Sequence, residues 1–438
     1  MISSPSADGW TTFHGCFHGD RLTLPLGFDF GTTNSAMAVV ADGRSRVTHT
    51  FRSVLYFDPD ERGRGGKPLS VAGPLAIERY LGGDGGGRLI QSLKSYLASR
   101  TFRATNIFGS TFTLEDLIAL IVKGLRAEAE KELGELPSRV VVGRPVRFAG
   151  EEEDQSYALD RLESAILKGG FEEVIFEYEP VAAAYHYETS LDHDEVVLIA
   201  DFGGGTSDFC VVHVGPTVRA RGRQPSDILG TEGVAVAGDA FDARVLRERV
   251  APILGKGSHY ESHGKQMVVP PWLFSHLERW HHLSFLKSAE NMKLLDDISE
   301  RSQERAKIES FVHLVENDLG FHLYRAVERT KLALSGQEDA RFDFRDEPIA
   351  IEAAISRAQF EAWITPEIEV IGSSLDRLLE KTGIVAGDVD RVFMTGGSSL
   401  VPVVRREFAR RFGEAKLEGG GELTSVASGL ALRAMDCA

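Results

Sequence analysis

Cysteine is scarce: Cys16, Cys210 and Cys437 are the only three in 438 residues, widely spaced and with no CxxC pair. That argues against a disulfide framework or a cysteine-based zinc site and suits a reducing compartment, so a cytoplasmic protein is expected. Apolar runs are short, and none reaches the roughly 18 to 20 residues that a membrane helix needs. The start, Met1 to Asp20, lacks both a basic flank and an apolar stretch, so no secretory signal is expected. Positive charge is in deficit, with 49 Lys and Arg against 65 Asp and Glu, for a net −16. A field of that sign repels polyanions, so neither nucleic acid nor an anionic membrane is an expected partner. No GxxxxGK[ST] sequence and no His-Arg-Asp loop is present, which removes the P-loop and protein-kinase classes.

What remains is a chain with 42% hydrophobic and 26% charged residues, the balance of a globular protein of two to four folding units at roughly 100 to 200 residues each. After a loose tail over 1–21, apolar sequence begins at Leu22. The patches ERGRGGKP and GGDGGG, between Glu61 and Gly87, read as loops around a short helical piece. The pattern Thr113-x-x-Asp116 opens a helix over Leu114 to Leu133, and a strand follows over Arg139 to Gly143. A helix over Glu152 to Gly169, a strand over Glu173 to Phe176, a helix opened by Pro180 and a buried strand over 196–203 continue the alternation of a layered α/β domain. From Pro252 to about Asp318 the charged, aromatic-bearing sequence predicts a helical insertion. The α/β pattern resumes with a strand over Ala340 to Phe344, a helix over 357–381, a strand over Arg391 to Met394 and a last helix over Val426 to Met435.

One internal similarity organises the chain. GFDFGTTNSAMAVV at 27–40 resembles IADFGGGTSDFCVV at 199–212, an offset of 172 residues. Each is a buried strand, Asp-Phe-Gly, a small-residue turn and a second strand, which predicts a duplicated α/β domain with two hairpins facing a cleft.

Glycine lets backbone N–H groups approach a phosphate, hydroxyls add donors, and an aspartate at a strand end can hold the magnesium that accompanies nucleotide phosphates. Asp29 with Gly31, Thr32 and Thr33, and Asp201 with Gly203, Gly204, Gly205, Thr206 and Asp208, supply that combination twice. A third glycine turn, Gly396-Gly397-Ser398-Ser399, follows an apolar strand and precedes a helix opened by Pro402.

These motifs resemble the actin-like ATPase superfamily, and within it the ATPase domain of the DnaK-type (Hsp70-like) heat-shock chaperones, most closely the shorter YegD-like members. Five segments carry the resemblance in the family's order: GFDFGTTNS, RLIQSLKSYL, FEYEPVAAAYHY, ADFGGGTSDF and MTGGSSLVP, spanning about Leu26 to Ala434. The resemblance implies a ribonuclease H-like duplicated α/β core in two lobes, 22–195 and 196–438, around a cleft for ATP or ADP and Mg2+. It implies that Lys94 reaches the terminal phosphate, that Glu179 helps position the attacking water, that Asp201 and Thr206 serve the second phosphate loop, and that Asp29, Asp201 and Asp208 stand beside Mg2+, mostly through water. Thr32, Thr33, Gly203, Gly204, Gly205, Gly238, Gly396, Gly397 and Ser398 match nucleotide-binding positions. Glu328, Lys331 and Ser335, on one helix face, match positions around ribose and adenine. Leu332 and Leu400 stand where well-studied members carry arginines, so a more apolar base contact is expected.

The chain is expected to lack the family's C-terminal peptide-binding domain, which turns attention to 252–318 as a surface for a protein partner or client. Trp272, Phe274, Trp280, Phe285 and Leu286 there read as a small core of the insertion rather than a binding face. Histidines 259, 263, 276, 281 and 282 lack a repeated ligand spacing, and His14, Cys16 and His18 read as tail residues rather than ligands. The expected protein is a monomeric ATPase that acts as a nucleotide-gated switch. A nucleotide-binding scaffold with little hydrolysis, or a small-metabolite kinase on the same fold, is the alternative.

Overall fold

The computed structural model describes residues 25–41, 44–83, 86–149, 154–421 and 424–437. The expected tail over 1–21, with His14, Cys16 and His18, lies outside the described residues.

Two five-stranded sheets carry the fold. The first contains β1 (Leu26–Phe30), β2 (Asn34–Ala41), β3 (Arg44–Arg52), β4 (Arg139–Arg144) and β5 (Glu173–Tyr178), in the order β5-β4-β1-β2-β3. The second contains β6 (Glu195–Phe202), β7 (Ser207–Val214), β8 (Ile228–Val234), β9 (Arg391–Thr395) and β10 (Leu417–Gly419), in the order β8-β7-β6-β9-β10. Each sheet pairs its first three strands antiparallel and adds the last two in parallel. The duplication extends to register: Asp29 pairs with Ala36, and Asp201 with Asp208, at the same offset of 172 residues. β2 and β7 read as near-continuous apolar runs because both faces of each sheet are covered.

Helix α1 (Leu114–Leu133) starts where the sequence says: Thr113 accepts from the Asp116 amide and Asp116 from the Thr113 amide. Its Leu117, Ile118, Ile121, Val122 and Leu125 recur at helical spacing and are buried in the first-half core. Helix α2 (Glu179–Glu188) leaves the first sheet and packs on β6 and β7. Later come α3 (Gly320–Gly336) and α4 (Ser425–Asp436), the latter returning to lie on β1, β2 and β4. Helices α2 and α4 cross with backbones touching, since a Cβ at Gly429 would stand 1.7 Å from the Ala182 carbonyl oxygen. Val181, Leu430, Val141 and Ile199 close one core between the sheets at this crossing.

The insertion departs from expectation. Helices Pro271–Glu278, Ala289–Arg301 and Arg305–Glu316 are present, but so is a hairpin of His259–Ser262 with Lys265–Val268. Its strands are short and largely exposed, so they leave no apolar alternation to read; its two-residue turn puts His263 and Gly264 at φ 51° and 72°. Nor do its described residues form a separate core: Leu273, Phe274, Leu277 and Leu286 share one apolar cluster with Phe202 and Phe209 of the second sheet. Trp272 is exposed, while Trp280, His281 and Phe285 lie outside the described side chains. Further on, the strand expected over Ala340 to Phe344 is one arm of a hairpin, Asp339–Asp346 with Ile349–Ser356. The helix expected over 357–381 is two, Arg357–Trp363 and Thr365–Thr382, because Pro366 cannot continue the earlier helix but can open the next.

His282 stacks on Tyr96 of the first half, with ring centroids 5.8 Å apart. Burial, helped by Arg279 and His276, pushes its pKa down to about 4 from an ordinary 6.5. The unfolded chain therefore takes up this proton first, and stability present above pH 6.5 is lost as pH falls through 6.5 towards 4. Melting temperature should fall more steeply over that window in the wild type than in His282→Gln, and parallel curves would contradict the assignment.

Candidate functional site

Parallel strands β1, β4 and β5 end side by side, which brings together Asp29 of β1, Gly143 of β4 and Glu179, the residue after β5. In the second sheet Asp201 pairs with Thr395 at the equivalent ends of β6 and β9. Carboxyl ends of parallel strands are where α/β sheets place ligands.

Both glycine turns are braced from behind. Ser53 donates its hydroxyl to the Gly31 carbonyl at 2.7 Å and its amide to that of Thr33 at 2.9 Å. In the second turn the Gly203 amide donates to the Thr206 carbonyl at 2.9 Å, and the Asp239 amide to that of Gly204 at 2.8 Å. The turns face each other: a Cβ at Gly204 would stand 2.9 Å from Thr33 Oγ1, and one at Gly205 would stand 3.5 Å from Thr32 Oγ1. At Gly204, glycine is what keeps that gap open.

Lys94 enters from the turn Leu93–Tyr96 and is buried with its Nζ 2.5 Å from Glu179 Oε1. Behind Glu179 a side chain at position 143 would come within 3.1 Å of its Cγ, so Gly143 leaves the room that Glu179 occupies. Arg161 fastens the Lys94 loop, pairing with Glu115 at 2.5 Å and donating to the carbonyls of Tyr96, Leu97, Ser99 and Phe102. Burial opposes the Lys94 charge, but Glu179 and Asp29 outweigh it and its pKa is raised. Burial and then Glu179 push the Asp29 carboxyl up to about 7, with Lys94 partly offsetting them. Asp208 also reaches about 7, through burial and Glu179, although it accepts from the Val146 amide at 2.7 Å. Asp201 is driven well above the carboxylate range by burial, then by Glu179, Asp208 and Asp29. Among the described residues, so much buried acid around Lys94 makes a pocket short of positive charge.

On the other side, Lys331 pairs with Asp242 at 2.7 Å and lies 3.4 Å from the Gly238 carbonyl oxygen. A Cβ at Gly238 would meet Ser398 Oγ at 2.7 Å, so Gly238, Lys331 and Ser398 converge. Gly396 has φ 82°, and a Cβ there would stand 2.1 Å from the Phe202 carbonyl oxygen, which sets the third turn against the end of β6. Gly397 is exposed, and Ser335 donates to the Lys331 carbonyl of its own helix at 3.2 Å. Leu332 and Leu400 are 65% and 47% exposed. Glu328 is engaged by Arg52 of the first half at 2.5 Å. Sequence reasoning missed Arg52 and Arg161, which sit in no motif, and assigned no role to Asp239, whose carboxyl burial and then Asp242 raise to about 6.

The acid cluster fits a divalent cation held at a distance. Among the described residues no three His, Cys, Asp or Glu side chains converge as direct ligands, whereas Asp29, Asp201 and Asp208 offer the negative field that a hydrated Mg2+ takes. Also among the described residues, no helix is long and apolar enough to cross a membrane.

A duplicated five-stranded α/β core with opposed glycine turns and buried acids at its strand ends defines a two-lobed actin-like ATPase fold. The chain matches the family model described as Hsp70 protein over residues 25–253 and 295–435. It belongs to the Hsp70 family and is a nucleotide-binding protein of that chaperone family. The unmatched stretch 254–294 falls within the insertion and holds its hairpin and the helix Pro271–Glu278.

Proposed function

We propose that the chain binds ATP with Mg2+ between its lobes, hydrolyses it to ADP and phosphate, and works as a nucleotide-gated switch whose outer surface a protein partner reads. The observation that carries this is the buried Lys94–Glu179 pair, whose lysine feels Asp29 and Asp208 of the two hairpins that carry the opposed glycine turns. Backbone amides of Gly203, Gly204 and Gly205 and the hydroxyls of Thr32 and Thr33 hold the phosphates. Lys94, fixed by Glu179, offsets the charge that develops on the terminal phosphate, while Glu179 orients water for in-line attack. Asp201 and Thr206 set the second turn, and Asp29, Asp201 and Asp208 would hold Mg2+, mostly through water. When bound, that cation neutralises phosphate charge. Glu328, Lys331 and Ser335 take the ribose side, with Gly238, Gly396, Gly397 and Ser398 beneath the base and Leu332 and Leu400 offering it apolar surface.

The lobes divide near 195, with α4 returning to the first sheet, and the chain acts as a monomer of the YegD-like branch. Buried Cys210 and half-buried Cys437, both free thiols, suit a reducing cytoplasm. Exposed Ile253, Met267, Val268 and Trp272 support a partner surface at the insertion.

Single-turnover hydrolysis of radiolabelled ATP tests the proposal. Phosphate release with Mg2+ that stops on adding EDTA is the expected result. Tight binding without release favours the scaffold alternative, which the leucines at 332 and 400 encourage; label transferred to an added small acceptor favours the kinase. Absence of nucleotide binding rejects all three.

A further inference from the structure

A small cavity lies at the seam between the first half and the insertion. Its volume is about 80 Å3, room for several waters or one small ring. One wall is the strand Arg88–Gln91, the edge of a three-stranded sheet, and all four of its residues line the space. The facing contribution comes from Leu283 of the insertion and from Asp318, Gly320 and Phe321 at the start of α3. None of the residues assigned above to nucleotide or Mg2+ lines it.

Most of the lining is apolar, and much of that is aromatic. Tyr80 meets Phe321 edge to face across the seam, with centroids 5.7 Å apart, and Tyr96 lies 4.9 Å from Phe102. A flat ring gains most from such surroundings, by offset stacking or edge contact. Two polar residues of the lining are already engaged: Tyr80 donates its hydroxyl to the Asp318 carbonyl at 2.5 Å, and Arg88 donates to the Asn106 carbonyl at 2.9 Å. Gln91 is not. It is 8% exposed, and its Nε2 is buried with no hydrogen-bond partner among the described residues. An unpaired amide costs the fold stability, so its place in an apolar wall calls for a reason other than packing. A ligand amide supplies one, because it offers an acceptor for Nε2 and a donor for Oε1 at the same edge. Few polar groups set in an apolar lining are what fix the orientation of a small ligand.

We propose that this cavity is a second ligand site, which takes a small aromatic amide: the ring packs among Tyr80, Tyr96, Phe102 and Phe321, and the amide pairs with Gln91. Leu93 and Tyr96 stand at the two ends of the turn that carries Lys94, so an occupant touches that turn without entering the phosphate pocket.

Benzamide and toluene, titrated against the full chain by saturation-transfer NMR, test it. Benzamide should bind saturably, and toluene, the same ring without the amide, about tenfold or more weakly by comparison. Gln91→Leu should reverse that preference, losing about tenfold for benzamide and gaining for toluene. Without ligand, Gln91→Leu should melt at or above the wild-type temperature, because it removes an unpaired buried amide and keeps the volume. Leu89→Trp, which fills the cavity from a half-buried position, should abolish binding of both probes. The titration needs no nucleotide, so the site stands or falls apart from the function proposed above. Four results would each overturn it: no saturable binding of benzamide, equal affinity for the two probes, benzamide binding that survives Gln91→Leu or Leu89→Trp unchanged, or displacement of benzamide by ADP with Mg2+. A lower melting temperature in Gln91→Leu would also count against it, by showing that the fold itself uses the amide.

Discussion

Replacing Lys94 with alanine should lower single-turnover hydrolysis by about two to three orders of magnitude, the size of effect seen when one preorganised charge or donor is removed from a water-poor site. Lys94 is a cation that the fold buries against Glu179, and three further acids, Asp29, Asp201 and Asp208, have their pKa raised around it. Without the lysine, the proposed terminal-phosphate site loses the fixed positive charge that Glu179 positions. Nucleotide binding should weaken less, because the glycine turns and the α3 residues are untouched. Breaking one half of a buried pair also destabilises, by about 3–5 kcal/mol, and this must be separated from chemistry. The double variant Lys94→Met with Glu179→Gln supplies the control: it removes both charges, should recover most of the melting temperature lost in Lys94→Ala, and should remain inactive. Hydrolysis that returned along with stability would show that Lys94 acts only as a structural ion pair.

The parts of this site that the sequence made legible are those written within a few residues of one another. Asp29 and Asp201 each stand at the end of a short apolar run before a glycine turn, so strand, turn and duplication could all be read locally, and register then bore out the offset. Thr113 and Asp116 marked the start of α1 because a capping box is a four-residue signal. Lys94 and Glu179 were legible only through resemblance: 85 residues separate them, and no local period joins a lysine in a short turn to a glutamate before Pro180. Arg52 was not legible at all. It lies at the end of an ordinary strand, and its partner is fixed by how the second half folds back across the cleft. The hairpin His259–Ser262 with Lys265–Val268 stayed hidden for a different reason: with little apolar surface to bury, it carries no alternation, and only its turn geometry identifies it. Pro366 was a local signal that the helix pattern around it masked.

Gly429→Val should destabilise the protein by about 3 kcal/mol or more, a cost at the upper end of overpacking in a close-packed core. Helices α2 and α4 each lie on the sheet opposite to the one their chain segment has just left, so the halves are tied together where the helices cross. At that crossing Gly429 lies so close that a Cβ would stand 1.7 Å from the Ala182 carbonyl oxygen and 2.4 Å from its carbon. The obstacle is backbone, so no rotamer change relieves it, and the helices must separate. Separation strips contacts from Val181, Ile199 and Leu430 in the core between the sheets. Gly27 adds a second restraint, since a Cβ there would stand 2.3 Å from the Ala431 amide nitrogen, fixing α4 on β1. The damage should reach the chemistry as well: α2 begins at Glu179, so moving the helix moves the carboxylate that holds Lys94. Gly429→Ala, which adds the smallest side chain, should therefore lower both melting temperature and hydrolysis. Gly387→Ala, at an open position with nothing within 4 Å of an added Cβ, should lower neither. Equal melting temperatures for Gly429→Ala and Gly387→Ala would show that the crossing yields without cost, and would remove the physical basis for treating α2 and α4 as the rigid junction between the halves.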